Sequence, residues 1–212
     1  MRTEFHHGGH HHPPLLERLV FFSDAVFAIA ITLLVIEIEV PHLPHGADSA
    51  EHLRALAQRI PNFIGFFVSF WVIGAFWTGH HRAFGQVGHY ATGLIGPNLA
   101  MLCAVAFMPF ATAYMSENFG AVVPTFTYNL VLLVTALLNL HLIRKVTDPP
   151  FLAEGADPIE RAATRARPWG VVGGSVVGLA VSLVVPQLSQ LFLVTIPLWI
   201  ALAVRLGRPR TD

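Results

Sequence analysis

Charge is what this chain has least of. Asp, Glu, Lys and Arg make up 12% of its 212 residues and cancel to a formal net charge of zero. That removes the basic surface nucleic-acid binding requires. One cysteine, Cys103, leaves no intrachain disulfide and no cysteine-built metal site. Set in an apolar run, it reads as a small buried hydrophobe. There is no H-E-x-x-H, no G-x-S-x-G, no glycine-rich phosphate loop and no Ser-His-Asp set with supporting spacing. His80 and His81 are adjacent and would point about 100° apart on a helix, so they do not form a two-ligand metal face. An enzyme is therefore not expected, nor a metal or a cofactor. No apolar stretch precedes Leu19 and no A-x-A site follows, so a cleavable signal is not expected and the first crossing helix directs insertion.

What the chain does have is apolar length. Hydrophobic residues are 54% of the total and fall in separated runs, the pattern of an all-α, polytopic membrane protein. Six crossings are expected, at about 19–40, 62–79, 94–114, 122–142, 169–185 and 189–204, together forming one unit over 18–206. Residues 1–17 form a polar tail with five histidines and Pro13-Pro14, and 207–212 a short C-terminal tail. Pro41 and Pro44 close the first run. Asp48-x-x-Glu51 is a capping pair for a short amphipathic segment whose Leu53, Leu56 and Ile60 share a face. Asp157-Pro158-x-Glu160 opens a charged helix that Pro168 is expected to end. Gly170, Gly174 and Gly178 follow at four-residue spacing, a row that lets a neighbouring helix come close.

Basic residues orient this bundle. With the N-terminus inside, eleven of the thirteen lie in inner segments, leaving only Arg54 and Arg59 outside. The positive-inside rule then places both termini in the cytosol.

The first run is long enough to cross a bilayer, yet it carries Ser23, Asp24, Thr32, Glu37 and Glu39. A carboxylate facing lipid costs several kcal/mol (roughly 2.5–3.5 on insertion scales), so these groups should face protein or water. On a helical wheel Phe22, Val26, Ile29, Leu33, Ile36 and Val40 form one narrow stripe, with Asp24 on the opposite face. Taken alone, such a stripe equally suits closed coiled-coil packing.

The pattern Arg18, then Phe22-Ser23-Asp24, then Ala28-Ile29 and Thr32 resembles the first-helix signature of the transmembrane protein 175 family of potassium channels. Ser69-Phe70, Phe76-Trp77 and His80-His81-Arg82 fit the same family's second helix; Asn98-Leu99 and Pro109-Phe110 fit its third more weakly. The resemblance implies a single six-helix subunit, a homotetramer, and a pore lined by the first helix in a bacterial plasma membrane. It places a hydrophobic constriction at Ile29, Leu33 and Ile36 and a selectivity threonine at Thr32. Glu37 and Glu39 would then ring the outer mouth and attract cations. Potassium would be the permeant ion, although the sequence has neither a T-V-G-Y-G filter nor an arginine-rich voltage sensor.

A second cluster lies at the opposite end of this helix. Asp24 sits about 9 Å of helical rise beyond Arg18, level with Trp77, His80 and His81 at the inner end of the second crossing. An indole N–H, an imidazole or Arg82 would stabilise a desolvated Asp24. In the family the Phe-Ser-Asp motif packs against that Trp and His. The cluster reads either as a structural clamp or as a proton-sensing site on Asp24 and His81, and the latter carries an alternative function, a proton-coupled secondary transporter.

Overall fold

The structure is a computed structural model and describes residues 15–88, 90–193 and 195–206; the histidines of the N-terminal tail and residues 207–212 lie outside the described residues. Among the described residues every long element is a helix. These are α1 (Leu15–Ile36), α2 (Ser49–Gln58), α3 (Ile60–Phe84), α4 (Ile95–Glu117), α5 (Val122–Val146), α6 (Pro158–Val184), α7 (Pro186–Leu193) and α8 (Ile196–Leu206). Among the described residues, five spans are long and apolar enough to cross a membrane: α1, α3, α4 with the short 3-10 turn before it, α5 and α6.

Several boundaries differ from the sequence reading, each for a physical reason. The first helix stops at Ile36, four residues short of Val40. Pro41 disfavours helical backbone at Val40, and Glu39 is drawn out to Arg59, 3.1 Å away at the start of α3. Glu37 and Glu39 thus stand beyond the helix rather than on its last turn. The second helix runs on to Phe84, so His80, His81 and Arg82 lie within it. Pro168 does not end the charged helix: it sits inside a continuous α6 that merges the charged segment with the 169–185 span. A proline removes one backbone bond, to the carbonyl four residues before, and a packed helix accommodates that loss; Pro168 is buried. The expected sixth crossing is broken into α7 and α8, and α8 alone, 11 residues, covers only about 16 Å.

The capping pair is realised in full. Asp48 accepts from the Glu51 amide and Glu51 accepts from the Asp48 amide, both at 2.8 Å. α2 buries none of its residues and leaves Leu53 and Leu56 exposed. Asp157 caps α6 by accepting from the Ile159 amide at 2.9 Å.

α3 is the inner strut, touching α1, α4, α5 and α6. The core around it is apolar: Phe27 and Leu34 of α1, Ile73 and Phe76 of α3, Met101 and Met108 of α4, Leu132 of α5. Within it, Ser69 shares a hydrogen bond with the Tyr128 hydroxyl at 3.1 Å and accepts from Thr112 at 2.7 Å. The glycine row does what its spacing implies. A Cβ on Gly170 would lie 2.5 Å from the Ile200 Cα, so α8 lies directly against α6. Ser189 donates to the Gly178 carbonyl at 2.9 Å and receives the Asn129 amide at the same distance. Cys103 is exposed, contrary to the buried reading; it shares an outward face of α4 with Leu99, Phe107 and Phe110, all exposed.

Candidate functional site

α1 has two unlike faces. One packs on α3 and α4 through Ser23, Phe27, Ala30 and Leu34, which are at most 1% exposed. The other is the stripe read from the sequence. Ile29, Leu33 and Ile36 are 58%, 37% and 71% exposed, and Phe22 is exposed beside them. The subunit therefore leaves most of the seam unpartnered; Val26 alone of its helical members is partly buried, against the core. Thr32 flanks it, exposed, with its hydroxyl donating to the Ile29 carbonyl at 2.9 Å. That bond uses the hydroxyl proton and leaves the oxygen's lone pairs outward. Beyond the helix end Glu37 is exposed without a salt bridge among the described residues, whereas Glu39 is paired with Arg59.

The polar cluster behind the seam separates into two parts. In the outer part, the Trp77 indole donates to Asp24 Oδ1 at 2.9 Å, and His81 lies over the same indole with ring centroids 5.7 Å apart. Trp77 and His81 are exposed and Asp24 is half-buried, so Asp24 is not the fully desolvated carboxylate expected. In the inner part, His80 Nε2 meets Asn98 Oδ1 at 2.9 Å, Asn98 Nδ2 donates to Ser23 Oγ at 2.9 Å, and Ser23 donates to the Leu19 carbonyl at 2.8 Å. This chain is fully buried and joins α3, α4 and α1. Because Asn98 Oδ1 can only accept, His80 carries its proton on Nε2. Phe27 and Phe84 enclose the ring, with centroids 5.6 Å and 4.2 Å away. Arg18 is exposed in the first turn of α1 and makes no ion pair among the described residues, and Arg82 does not reach Asp24.

Two residues of this arrangement are named in the sequence reading without the contacts they make. Asn98 is the hub of the inner chain, and a lone amide in an apolar run was the signal for it. Arg59 is the partner of Glu39, which no local pattern marks, since twenty residues separate them.

Basic side chains gather at the end of the bundle nearest Arg82. Asp148 binds Arg161 at 3.0 Å and also Arg165, while the Arg144 guanidinium lies 5.0 Å above the Trp169 ring. Burial alone would raise the Asp148 carboxyl, but the hydrogen bonds and charges of Arg165 and Arg161 outweigh it and hold it below the usual carboxylate range.

Comparison with known proteins converges on one family. The sequence model described as "Endosomal/lysosomal potassium channel TMEM175" matches residues 18–109. A Streptomyces collinus protein named as a potassium channel is 40% identical over 125 residues, 57% of this chain and 59% of that one. Human TMEM175, named as an endosomal/lysosomal proton channel, is 35% identical over 102 residues, 45% of this chain and 20% of that one. The chain thus spans less than two thirds of the length of the curated relatives it matches. Among solved structures, a lysosomal potassium-selective channel TMEM175 homologue from Chamaesiphon minutus superposes with a TM-score of 0.76 at 29% identity. That alignment covers 90% of this chain and 98% of the other. Motif, relatives and fold thus agree: the chain is similar to the TMEM175 family over residues 18–109 and shares the fold of a solved TMEM175 homologue.

Proposed function

We propose that this protein is a potassium-permeable cation channel subunit, that four copies assemble around their α1 seams, and that ions pass without coupling to a counter-ion. The observation that carries the reading is the seam itself. A helix tightly packed on one face leaves Ile29, Leu33 and Ile36 exposed on the other. The likeness to the potassium-selective homologue over 98% of its length supports the same reading. In the assembled pore these three side chains form the apolar constriction, which excludes ions by dewetting. Thr32 supplies oxygen beside it for discrimination. Glu37 is the acid left to draw cations to the outer mouth, since Glu39 is neutralised by Arg59.

In this reading α7 and α8 together make the sixth, broken crossing, both termini are cytosolic, and the membrane is the bacterial plasma membrane. Proton movement along Asp24 and His81 is a second reading, favoured by the Trp77 ring that touches both. Flux from vesicles containing the purified protein separates the two. Potassium-loaded vesicles should discharge faster than sodium-loaded ones, with a rate indifferent to an imposed pH gradient. Discharge that requires opposing protons would establish exchange instead.

A further inference from the structure

Between α3, α5 and α6 the helices leave a cavity of about 260 Å³. Arg82 and Arg167 line it from different helices, and neither makes an ion pair among the described residues. The acid whose charge acts on Arg167 is Glu160, which is exposed and does not line the cavity. Asn139 also lines it, 3% exposed, with Oδ1 lacking any partner. Thr164, on the same wall, accepts from Gln86 at 2.9 Å and keeps its own proton to donate.

A second void continues from the first. It is a largely apolar groove of about 830 Å³ running along α3 from Val68 to Thr78, with Ile196, Pro197 and Ile200 of α8 opposite. The two voids share Ala75, Thr78 and Ile200. Arg82 is two residues from the end of α3, which puts the charged cavity at the membrane–water boundary. From Thr78 back to Val68 is about 15 Å of helical rise, half the roughly 30 Å hydrocarbon thickness of a bilayer. The groove is one leaflet deep.

We propose that these joined voids bind an anionic glycerophospholipid from the leaflet on the Arg82 side. Its phosphate sits between Arg82 and Arg167, and an acyl chain follows the groove past Ala75 toward Phe70. Charge selects the headgroup, and the groove distinguishes a lipid from a free anion. The site requires only that these helices cross a bilayer and does not depend on what the protein conducts.

The test uses the full chain, purified and stripped of lipid, with phosphatidylglycerol, phosphatidylcholine of the same chains, or inorganic phosphate added separately. Native mass spectrometry counts bound lipid, and the melting temperature reports stabilisation. Phosphatidylglycerol should bind and stabilise, and phosphatidylcholine should not. Arg82→Gln and Arg167→Gln should each weaken binding about tenfold. Arg205→Gln, at an exposed position of α8 outside the cavity, should leave it unchanged. Ala75→Leu narrows the groove at an exposed position without altering charge, and should weaken lipid binding while sparing the fold. This variant decides the matter if an arginine variant does not fold. Equal binding of the two lipids, or wild-type affinity in Ala75→Leu, overturns the proposal. Stabilisation by inorganic phosphate as large as that by the lipid overturns it too. So does a change in oligomeric state alone, which would mean that a second copy covers the groove.

Discussion

The Trp77 indole holds Asp24 at 2.9 Å on the outside of the bundle, while His80, on the next turn of the same helix, reaches inward to Asn98. Three residues of helix separate them, a rotation of about 60°. That is enough to put one contact on an exposed face and the other in the core. α1 is thereby fixed to α3 directly and to α4 through Asn98, with its seam facing away from both.

The two contacts should differ in strength. Asn98→Ala strips His80 Nε2 of its partner and Ser23 Oγ of the bond it accepts, leaving Ser23 only its own donation to the Leu19 carbonyl, in a fully buried place. The expected loss is about 2 kcal/mol or more, from unpaired polar atoms plus a small cavity. Trp77→Phe removes a single, partly solvated hydrogen bond and should lose about 1 kcal/mol or less. Thermal melts of the detergent-solubilised protein rank them. An Asn98→Ala variant melting at or above Trp77→Phe would show that the inner chain does not anchor α1.

Much of this arrangement was legible in the sequence, and the exceptions have physical causes. Apolar length marked α1, α3, α4 and α5, and the periodic stripe picked out the face that α1 leaves exposed. Ser23, Asp24, Trp77 and His80 were grouped because helical rise sets them at one depth. Rise does not say which way each side chain turns, so the split between an outer and a buried part was invisible. Cys103 reads as buried because an apolar run looks alike whether it meets protein or lipid. Pro168 reads as a stop because proline ends soluble helices, whereas a packed membrane helix accommodates it. Arg59 and Glu39 meet through tertiary geometry alone.

Close helix approach makes Gly170 sensitive. A methyl group there would lie 2.5 Å from the Ile200 Cα and amide nitrogen, backbone atoms that cannot yield without moving α8. Gly173, one turn along, would place a methyl 3.8 Å from the Trp199 ring, an ordinary contact. Gly170→Ala should lower the melting temperature by several degrees, on the order of 1–3 kcal/mol of overpacking. Gly173→Ala should be neutral or slightly stabilising through helix propensity. Equal melts for both would mean that α8 is not docked on α6.

Asp148 supplies a pH dependence of known sign. Its folded-state carboxyl is held below the ordinary value by Arg165 and Arg161, against the effect of burial. The stability it contributes is therefore fully present above about pH 4, the unfolded value. It is lost as the pH falls through the depressed folded value. The pair is substantially solvated, so the amount is under about 1 kcal/mol. Asp148→Asn should melt slightly below wild type at pH 6 and show a shallower decline on acidification. Parallel melting curves for the two proteins across that range would remove Asp148 from the account.

The seam bears the most direct prediction. Four Ile29 side chains at one level make an apolar ring that water enters reluctantly, and a dewetted constriction blocks ions without a plug. Ile29→Asn puts smaller amide side chains there that hold water, at an exposed position of the subunit, so the fold should survive. Resting current should rise and potassium-over-sodium discrimination should fall. Thr32→Ala leaves that ring intact and removes one oxygen, whose hydroxyl bond to the Ile29 carbonyl is local and dispensable. It should chiefly reduce discrimination, with little change in resting current. Reversal potentials under mixed potassium and sodium, measured beside total current, distinguish the two effects. If both variants reach the membrane and reproduce wild-type current and selectivity, α1 does not line the pore and its bare seam must be covered by something other than its own copies around a conduction path.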